Sequence, residues 1–389
     1  MPDWITTPIE PLIHGALDVE HTANGLVPHR LPARARKQFP DDYLASVEAQ
    51  PAGVRLLLRT EATDIALDVL STRACYPGVP APCAGIYELL IDGRPAGQAS
   101  APGTGRLVDM TTQATVTESL APDTVRFTGL PTGVKDVEIW LPHTEITELV
   151  ALRTNAPVRP TPQRDRKVWL HHGSSISHGS NADRPRASWP AVAAEHGDVA
   201  LLNLSLRGNC LLDPFVARTI RDTPADLISL ELGINLVSGD VLRLRAFLPA
   251  VHGFLDTIRD GHPGTPLLVV SSILCPIHED TPGPGALEFD GAQVRFRALG
   301  DPADRANGRL TLNVVRDELV GIVKQRAADD PNLHYLDGRC LYGEQDFAEL
   351  PLPDRLHPDT ATHHRIGTRF AEFAFGAAGP LATAGRTHP

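Results

Sequence analysis

The sequence predicts an α/β protein in two parts: a doubly wound, flavodoxin-like parallel sheet in the C-terminal portion, preceded by an all-β sandwich or jelly roll. Three observations predict it. Up to about residue 160, short runs alternate apolar and polar residues with period two, turn residues are dense between them, and no helical pattern of a dozen residues appears. The stretch 156–166 then carries three prolines, which favour extended backbone over a packed element, and reads as a linker. Beyond it, near-continuous apolar strands alternate with helical periodicity, as expected when both faces of a parallel sheet are covered. The division is therefore drawn as 1–160, an accessory sandwich, and 166–389, the domain that holds the chemistry. A chain of 389 residues is also longer than one ordinary core supports.

In chain order, 65–69 alternates as a half-buried strand, and 87–91 is a strand that runs into Asp92-Gly93, a hairpin turn signal. Residues 125–127 and 137–141 are further strands. After the break, Val168–His172 is a strand and Trp189–His196 a short helix, capped by Ser188 and stopped by Gly197. Residues 199–204 form a strand, and Asp213-Pro214 is an N-cap and N1 pair opening a helix. Leu227–Leu232 and Leu267–Ser271 are buried strands. Residues 241–259 read as a helix that Pro249 is expected to kink or split. In the helix over 312–324, Leu312, Val315, Leu319, Ile322 and Val323 share one face. A last helix holds Ile366, Phe370 and Phe373.

Composition narrows the function. A hydrophobic fraction of 42% with 21% charged residues is that of a globular protein. The net charge is −11, with no basic run and no basic stripe carrying interleaved aromatics, so no nucleic-acid partner is expected. The N-terminus lacks the cationic and apolar regions of a secretory leader, although a leader already removed would leave the same trace. No apolar run reaches the ~20 residues that span a bilayer. Cys75, Cys83, Cys210, Cys275 and Cys340 are odd in number and unpaired in spacing, which fits free thiols in a reducing compartment. The expected setting is cytoplasmic and away from membranes. Adjacent histidines at 171–172 and 363–364 diverge in a strand or a helix, so no metal site is expected. No glycine-rich phosphate cradle appears, and no cofactor is expected.

The strand ends carry the chemistry, as they do in open α/β sheets. Ser175 follows the first of these strands in Leu-His-His-Gly-Ser-Ser-Ile-Ser-His-Gly. If a helix begins there, its free N–H groups face the same space, so the hydroxyl can attack a carbonyl while its own amide holds the oxyanion. Serines also gather in loops simply because they turn chains. Gly208 ends the second strand and offers a second N–H; Asn235, just after Gly233, ends the third and offers a side-chain donor. Asp354 and His357 lie three residues apart before the last helix, a spacing that lets the carboxylate orient the imidazole as general base and acid. Alone, the Ser175 string reads evenly as a site or a turn, and the Gly208 and Asp354–His357 strings read first as plain turns; the ordered set is informative.

In that set the chain resembles the SGNH or GDSL hydrolase superfamily over about residues 166–375. The resemblance implies an SGNH-type α/β domain with Ser175, Gly208, Asn235 and His357 as the four named residues, and Asp354 completing the triad. Ser174 stands where an acidic residue is usual, and Leu236 where an aspartate is usual. The whole chain is similar to a branch with an N-terminal β-sandwich, whose members are called lipases or esterases and some of which acylate natural products from a thioester donor.

The expectation is a serine esterase that forms an acyl-enzyme on Ser175 and hydrolyses small acyl esters. The first alternative is O-acyl transfer from a thioester to a hydroxyl of a small natural product such as a polyketide. The second is a carbohydrate-ester deacetylase with a carbohydrate-binding sandwich. Ser174, Leu236, Cys275, Pro276 and His278 are the candidate substrate contacts, the last three from the long loop 274–284 that follows the fourth strand; a rigid surface loop reads equally well there. The sandwich is expected to help wall the pocket.

Overall fold

A computed structural model describes residues 4–75, 83–108, 115–117, 121–161, 166–290 and 293–382. The chain forms two compact units, residues 1–165 with 183–186, and residues 166–182 with 187–389.

The first unit is built of two sheets. One contains Ile65–Cys75, Ile146–Thr154 and Asp123–Phe127 in antiparallel register, and the other contains Arg55–Thr60, Lys135–Trp140 and Ile86–Ile91. Period-two alternation sends Ile65, Leu67 and Val69 from one sheet, and Leu56, Leu58, Leu89, Val137 and Ile139 from the other, into a single buried cluster. Each such side chain contributes about 1.5–3 kcal/mol on burial. Among the described residues one pairing is parallel, Ile65–Cys75 with Thr104–Val108. Asp92 and Gly93 both take positive φ, and the chain returns as Arg94–Ser100, which is the hairpin their sequence predicts. The sequence shows no long helix here, and among the described residues the structure has two short α-helices, Ala33–Gln38 and Asp42–Glu48. The end of the second is tied down by the fully buried Arg30, whose guanidinium donates to the carbonyls of Val47 and Gln50.

The stretch read as a linker is in part structure. Val158–Pro160 pairs antiparallel with Arg55–Thr60 at the end of its sheet. Proline is tolerated on such an edge, where no further strand needs its missing N–H. Residues 162–165 of that stretch lie outside the described residues.

The second unit holds a five-stranded parallel sheet, in spatial order Ala200–Asn203, Val168–His172, Leu227–Leu232, Leu267–Ser271, Leu333–Leu336. This is the 2-1-3-4-5 order of doubly wound flavodoxin-like sheets. Leu227–Leu232 and Leu267–Ser271 are buried throughout, as their near-continuous apolar runs predict, with Ser229 and Glu231 the polar residues inside the first. The fifth strand was not read from the sequence; only four residues pair, and two of them are half exposed. Helix Leu244–Gly261 runs unbroken through Pro249, so the expected kink or split does not divide it. A third departure is the antiparallel hairpin Gly285–Asp290 and Gln293–Ala298.

Helix Thr360–Ala374 packs on helix Trp189–His196, with Gly367 so close that a Cβ there would lie 2.7 Å from the Trp189 carbonyl oxygen. Phe370 stacks on Trp169 at 5.2 Å, and Phe375 meets it edge-on at 5.1 Å. This aromatic core holds the C-terminal part of the last helix, whose start is capped by Asp359 accepting the Thr362 N–H at 2.9 Å; the Asp354–His357 loop lies just before that cap. No helix among the described residues is long and apolar enough to cross a membrane.

Candidate active site

The first strand ends at His172, and a four-residue helix, Ser175–His178, starts directly after the turn. Ser174 caps it, accepting the Ile176 N–H on its hydroxyl at 3.2 Å. Being the first helical residue, Ser175 has no intrahelical acceptor for its N–H. Its hydroxyl lies 2.9 Å from Nε2 of His357. The Nδ1–H of His357 donates to Oδ2 of Asp354 at 2.7 Å, which leaves Nε2 as the acceptor for the serine hydroxyl. Ser175 and His357 are 7% and 8% exposed, so the relay is shielded yet reachable.

Asp354 is held from several sides. Its Oδ1 accepts the N–H groups of Leu356 and His357 at 2.9 and 2.7 Å, an Asx-type turn that fixes the three-residue spacing. Asn181, in the left-handed region at φ 66°, donates its side-chain amide to Oδ2 at 3.2 Å. Burial pushes the Asp354 carboxyl up, but the bonds from the His357 ring and backbone and from the Leu356 N–H outweigh it and leave the pKa below its ordinary value. A lowered pKa means that these bonds stabilise the fold fully above the unfolded value of about 3.9, and that this is lost as pH falls through the lower folded value. The urea midpoint of wild type minus that of Asp354→Asn is therefore expected to be largest near neutrality and to shrink below about pH 4.

The second and third strands bring the donors. Leu206 donates its N–H to the Gly173 carbonyl at 2.9 Å, which ties the turn after the second strand to the nucleophile turn. Gly208, in that turn, is left-handed at φ 67°. Asn235 lies in helix Ile234–Ser238, entered through Gly233 at φ 135°, where a side chain would also meet Ser272 Oγ at 2.8 Å. The Cys210 N–H donates to Asn235 Oδ1 at 3.2 Å, which assigns the amide orientation and leaves the NH₂ group without a partner among the described residues.

Sequence reasoning missed three contributors. Glu231, 4% exposed in the third strand, accepts the Ser174 N–H at 2.8 Å and the Ser177 hydroxyl at 3.3 Å on Oε2, and the Ser272 hydroxyl at 3.5 Å on Oε1. Ser272 in turn accepts the Ile234 N–H at 2.8 Å. One buried carboxylate thus joins the turn carrying Ser175 to the helix carrying Asn235. It approaches so closely that a Cβ at Gly173 would lie 3.0 Å from Oε2. Burial raises its pKa, against the opposing effect of the serine bonds. Removing it strands these donors at about 1–3 kcal/mol each. Glu231→Ala is accordingly expected to lower the urea midpoint and kcat together, and Glu231→Gln, which keeps an acceptor for the Ser174 N–H, to recover most of both. Asn181 is the second missed residue. The third is Phe296, whose ring stands edge-on to the His357 imidazole at 5.3 Å.

The substrate-contact candidates divide by exposure. Ser174, Leu236, Cys275 and His278 have no exposed surface, and Pro276 is exposed. His278 Nδ1 lies 3.2 Å from the Thr281 carbonyl oxygen, and burial lowers its pKa. Cys275 Sγ lies 3.6 Å from the Arg355 carbonyl oxygen. His171 and His172 face different neighbours, Ser229 Oγ at 2.7 Å and the Leu204 carbonyl at 2.8 Å. His363 is buried against the Ser180 carbonyl, whereas His364 is exposed. Among the described residues no group of three or more His, Cys, Asp or Glu is arranged to hold a metal.

A parallel five-stranded sheet with this serine at a strand end, met by a histidine and a carboxylate from the loop before the last helix, defines a class. The GDSL-like lipase/acylhydrolase family matches residues 172–365, and the domain described as SsfX3, N-terminal domain matches residues 12–153. The chain therefore carries a catalytic domain of the GDSL-like lipase/acylhydrolase family behind an SsfX3-type N-terminal domain, and it is an enzyme of that class. Among solved structures it is similar to the salicylyl-acyltransferase SsfX3 from a tetracycline biosynthetic pathway, at 28% identity and a TM-score of 0.76, over 94% of this chain and 95% of that one. It is also similar to a Bacteroides ovatus protein described as a GDSL-like lipase, at 17% identity and a TM-score of 0.68, over 95% and 96%. A family two carbohydrate esterase from Clostridium thermocellum aligns at 12% identity and a TM-score of 0.56, over 82% and 91%. The last two likenesses speak to the fold alone. No match is found among curated proteins.

Proposed function

We propose that the protein is a serine esterase acting on small acyl esters through an acyl-enzyme on Ser175. The observation that carries this reading is the continuous relay Ser175–His357–Asp354, at 2.9 and 2.7 Å. His357 Nε2 takes the Ser175 proton as Oγ attacks the carbonyl carbon, and Asp354 holds the ring and stabilises the imidazolium. The oxyanion is held by the N–H groups of Ser175 and Gly208 and the NH₂ of Asn235. The C–O bond to the leaving alcohol breaks, and that oxygen takes the proton from His357. Water, deprotonated by His357, then attacks the acyl carbon and Ser175 leaves with the proton. This chemistry needs no metal and no organic cofactor. The sandwich is assigned an accessory role in the same proposal.

A second reading has an observation of its own. Similarity to a salicylyl-acyltransferase over 94% of the chain favours transfer of the acyl group from a thioester to a hydroxyl of a small natural product. The relay serves both, because the acyl-enzyme is common and only its acceptor differs. The test is a panel of p-nitrophenyl esters and acyl thioesters, with and without alcohol acceptors, read from the products. Hydrolysis of a short-chain ester that alcohols do not divert supports the esterase. Thioester consumption that requires an acceptor, with negligible hydrolysis, replaces it with the transferase.

A further inference from the structure

We propose that the apolar face of the hairpin Gly285–Asp290 and Gln293–Ala298 is the subsite for the alcohol side of the reaction, and that the alcohol it takes is aromatic or hydrocarbon-rich rather than a sugar or a short polyol. This rests on the acyl-enzyme reading above and adds to it the substrate class on one side of the ester.

The position of His357 decides which side. Its Nε2 protonates the departing alcohol oxygen and deprotonates an incoming one, whereas the carbonyl oxygen faces the Ser175, Gly208 and Asn235 donors. A surface continuous with the imidazole therefore meets the alcohol. The hairpin is such a surface. The Phe296 N–H donates to the Asp354 carbonyl at 2.9 Å, so its strand runs alongside the loop that carries the relay. Its ring stands at 77° to the His357 ring with centroids 5.3 Å apart. The neighbouring strand is anchored to the same loop by Glu288, which pairs with Arg355 at 2.9 Å.

Register then extends the face outward. Leu287 lies directly opposite Phe296, and Val294 lies two residues back along the Phe296 strand, so all three share one side. Glu288, Arg295 and Arg297 alternate onto the other side. Leu287 is 40% exposed, and Val294 and Phe296 are half-buried. A lone exposed leucine would need no explanation. This one continues an apolar strip that begins on the histidine in reach of the nucleophile. Such a strip gains by covering carbon and offers no partner to the hydroxyls of a sugar.

The test forms the acyl-enzyme from p-nitrophenyl acetate and lets it partition between benzyl alcohol and glycerol at equal concentration. In the productive step the alcohol proton goes to His357 Nε2, the alcohol oxygen bonds to the acetyl carbon, and Ser175 Oγ departs with that proton. The products are benzyl acetate and monoacetylglycerol. The same two esters are also offered as substrates for hydrolysis. Wild type is expected to favour the benzyl partner in both arms. Leu287→Ser is expected to cut that preference about tenfold, the scale of one lost apolar contact, and Leu287→Met to keep it. The relative rates on p-nitrophenyl acetate and hexanoate, which differ only in the acyl chain, are expected to stay as in wild type. No benzyl preference in wild type, a preference that Leu287→Ser leaves intact, or a change in acyl-chain preference overturns the subsite. Because Leu287 is exposed, an unchanged melting temperature shows that the variant is folded. Failure of Ser175 to label with a fluorophosphonate defeats the acyl-enzyme reading itself, whereas labelling without an alcohol preference defeats only the subsite.

Discussion

Ser175→Ala is expected to lower kcat by on the order of 10⁶-fold while leaving the fold intact. The hydroxyl's hydrogen bond is to His357, and its removal strands no buried partner that water cannot serve, because both residues keep some exposure. A fluorophosphonate should add one adduct to wild type, on the peptide that contains Ser175, and none to the variant. The neighbouring serines make the result specific. Ser174 Oγ is committed to the helix cap, and Ser177 Oγ sits between Glu231 and the Trp189 indole N–H. An adduct on Ser174 or Ser177, or an active preparation that takes no adduct, would remove Ser175 from the mechanism. His357→Ala is expected to follow Ser175→Ala closely, because the two act as one unit.

What the sequence made legible, and what it hid, follows from the range over which each signal acts. Two of the parallel strands were readable because Leu227–Leu232 and Leu267–Ser271 are buried on both faces and so carry near-continuous apolar runs. Ser175, Gly208, Asn235 and Asp354–His357 were readable because each sits at a strand end or before a helix, where a polar or glycine residue has a chemical reason to be. Glu231 was hidden because its partners, Ser174, Ser177 and Ser272, lie more than 40 residues away in sequence. A lone glutamate within an apolar strand run was the one local signal, since a charge there is costly without partners. Asn181 was hidden for the same reason, its carboxylate partner being 173 residues distant. The hairpin after the fourth strand did have a local signature. Leu287, Phe289, Val294 and Phe296 alternate with polar residues about Asp290-Gly291, a turn pair in the period of a ribbon. The expected linker failed at 158–160 because a proline-rich edge strand and a proline-rich tether look alike until the partner strand is known.

Asn235→Ala is expected to lower kcat by ~10²–10³-fold, or about 3–4 kcal/mol of transition-state stabilisation, with a much smaller change in KM. The separation of the two constants follows from what the NH₂ group meets. A ground-state carbonyl oxygen carries little charge, so a donor aimed at the oxyanion improves substrate binding far less than it improves the transition state. Alanine also removes Oδ1, which accepts the Cys210 N–H, so part of any loss could come from movement of the Gly208 turn. Asn235→Asp separates the two effects. It keeps an oxygen for Cys210 but replaces the donor with a second acceptor, so the turn stays tied while the hole loses its NH₂ group and gains a negative charge. If the donor matters, Asn235→Asp should be at least as damaging to kcat as Asn235→Ala, with a urea midpoint closer to wild type. If the turn matters instead, Asn235→Asp should recover activity toward wild type. An unchanged kcat in Asn235→Ala would take the side chain out of the mechanism and leave the Ser175 and Gly208 amides as the donors.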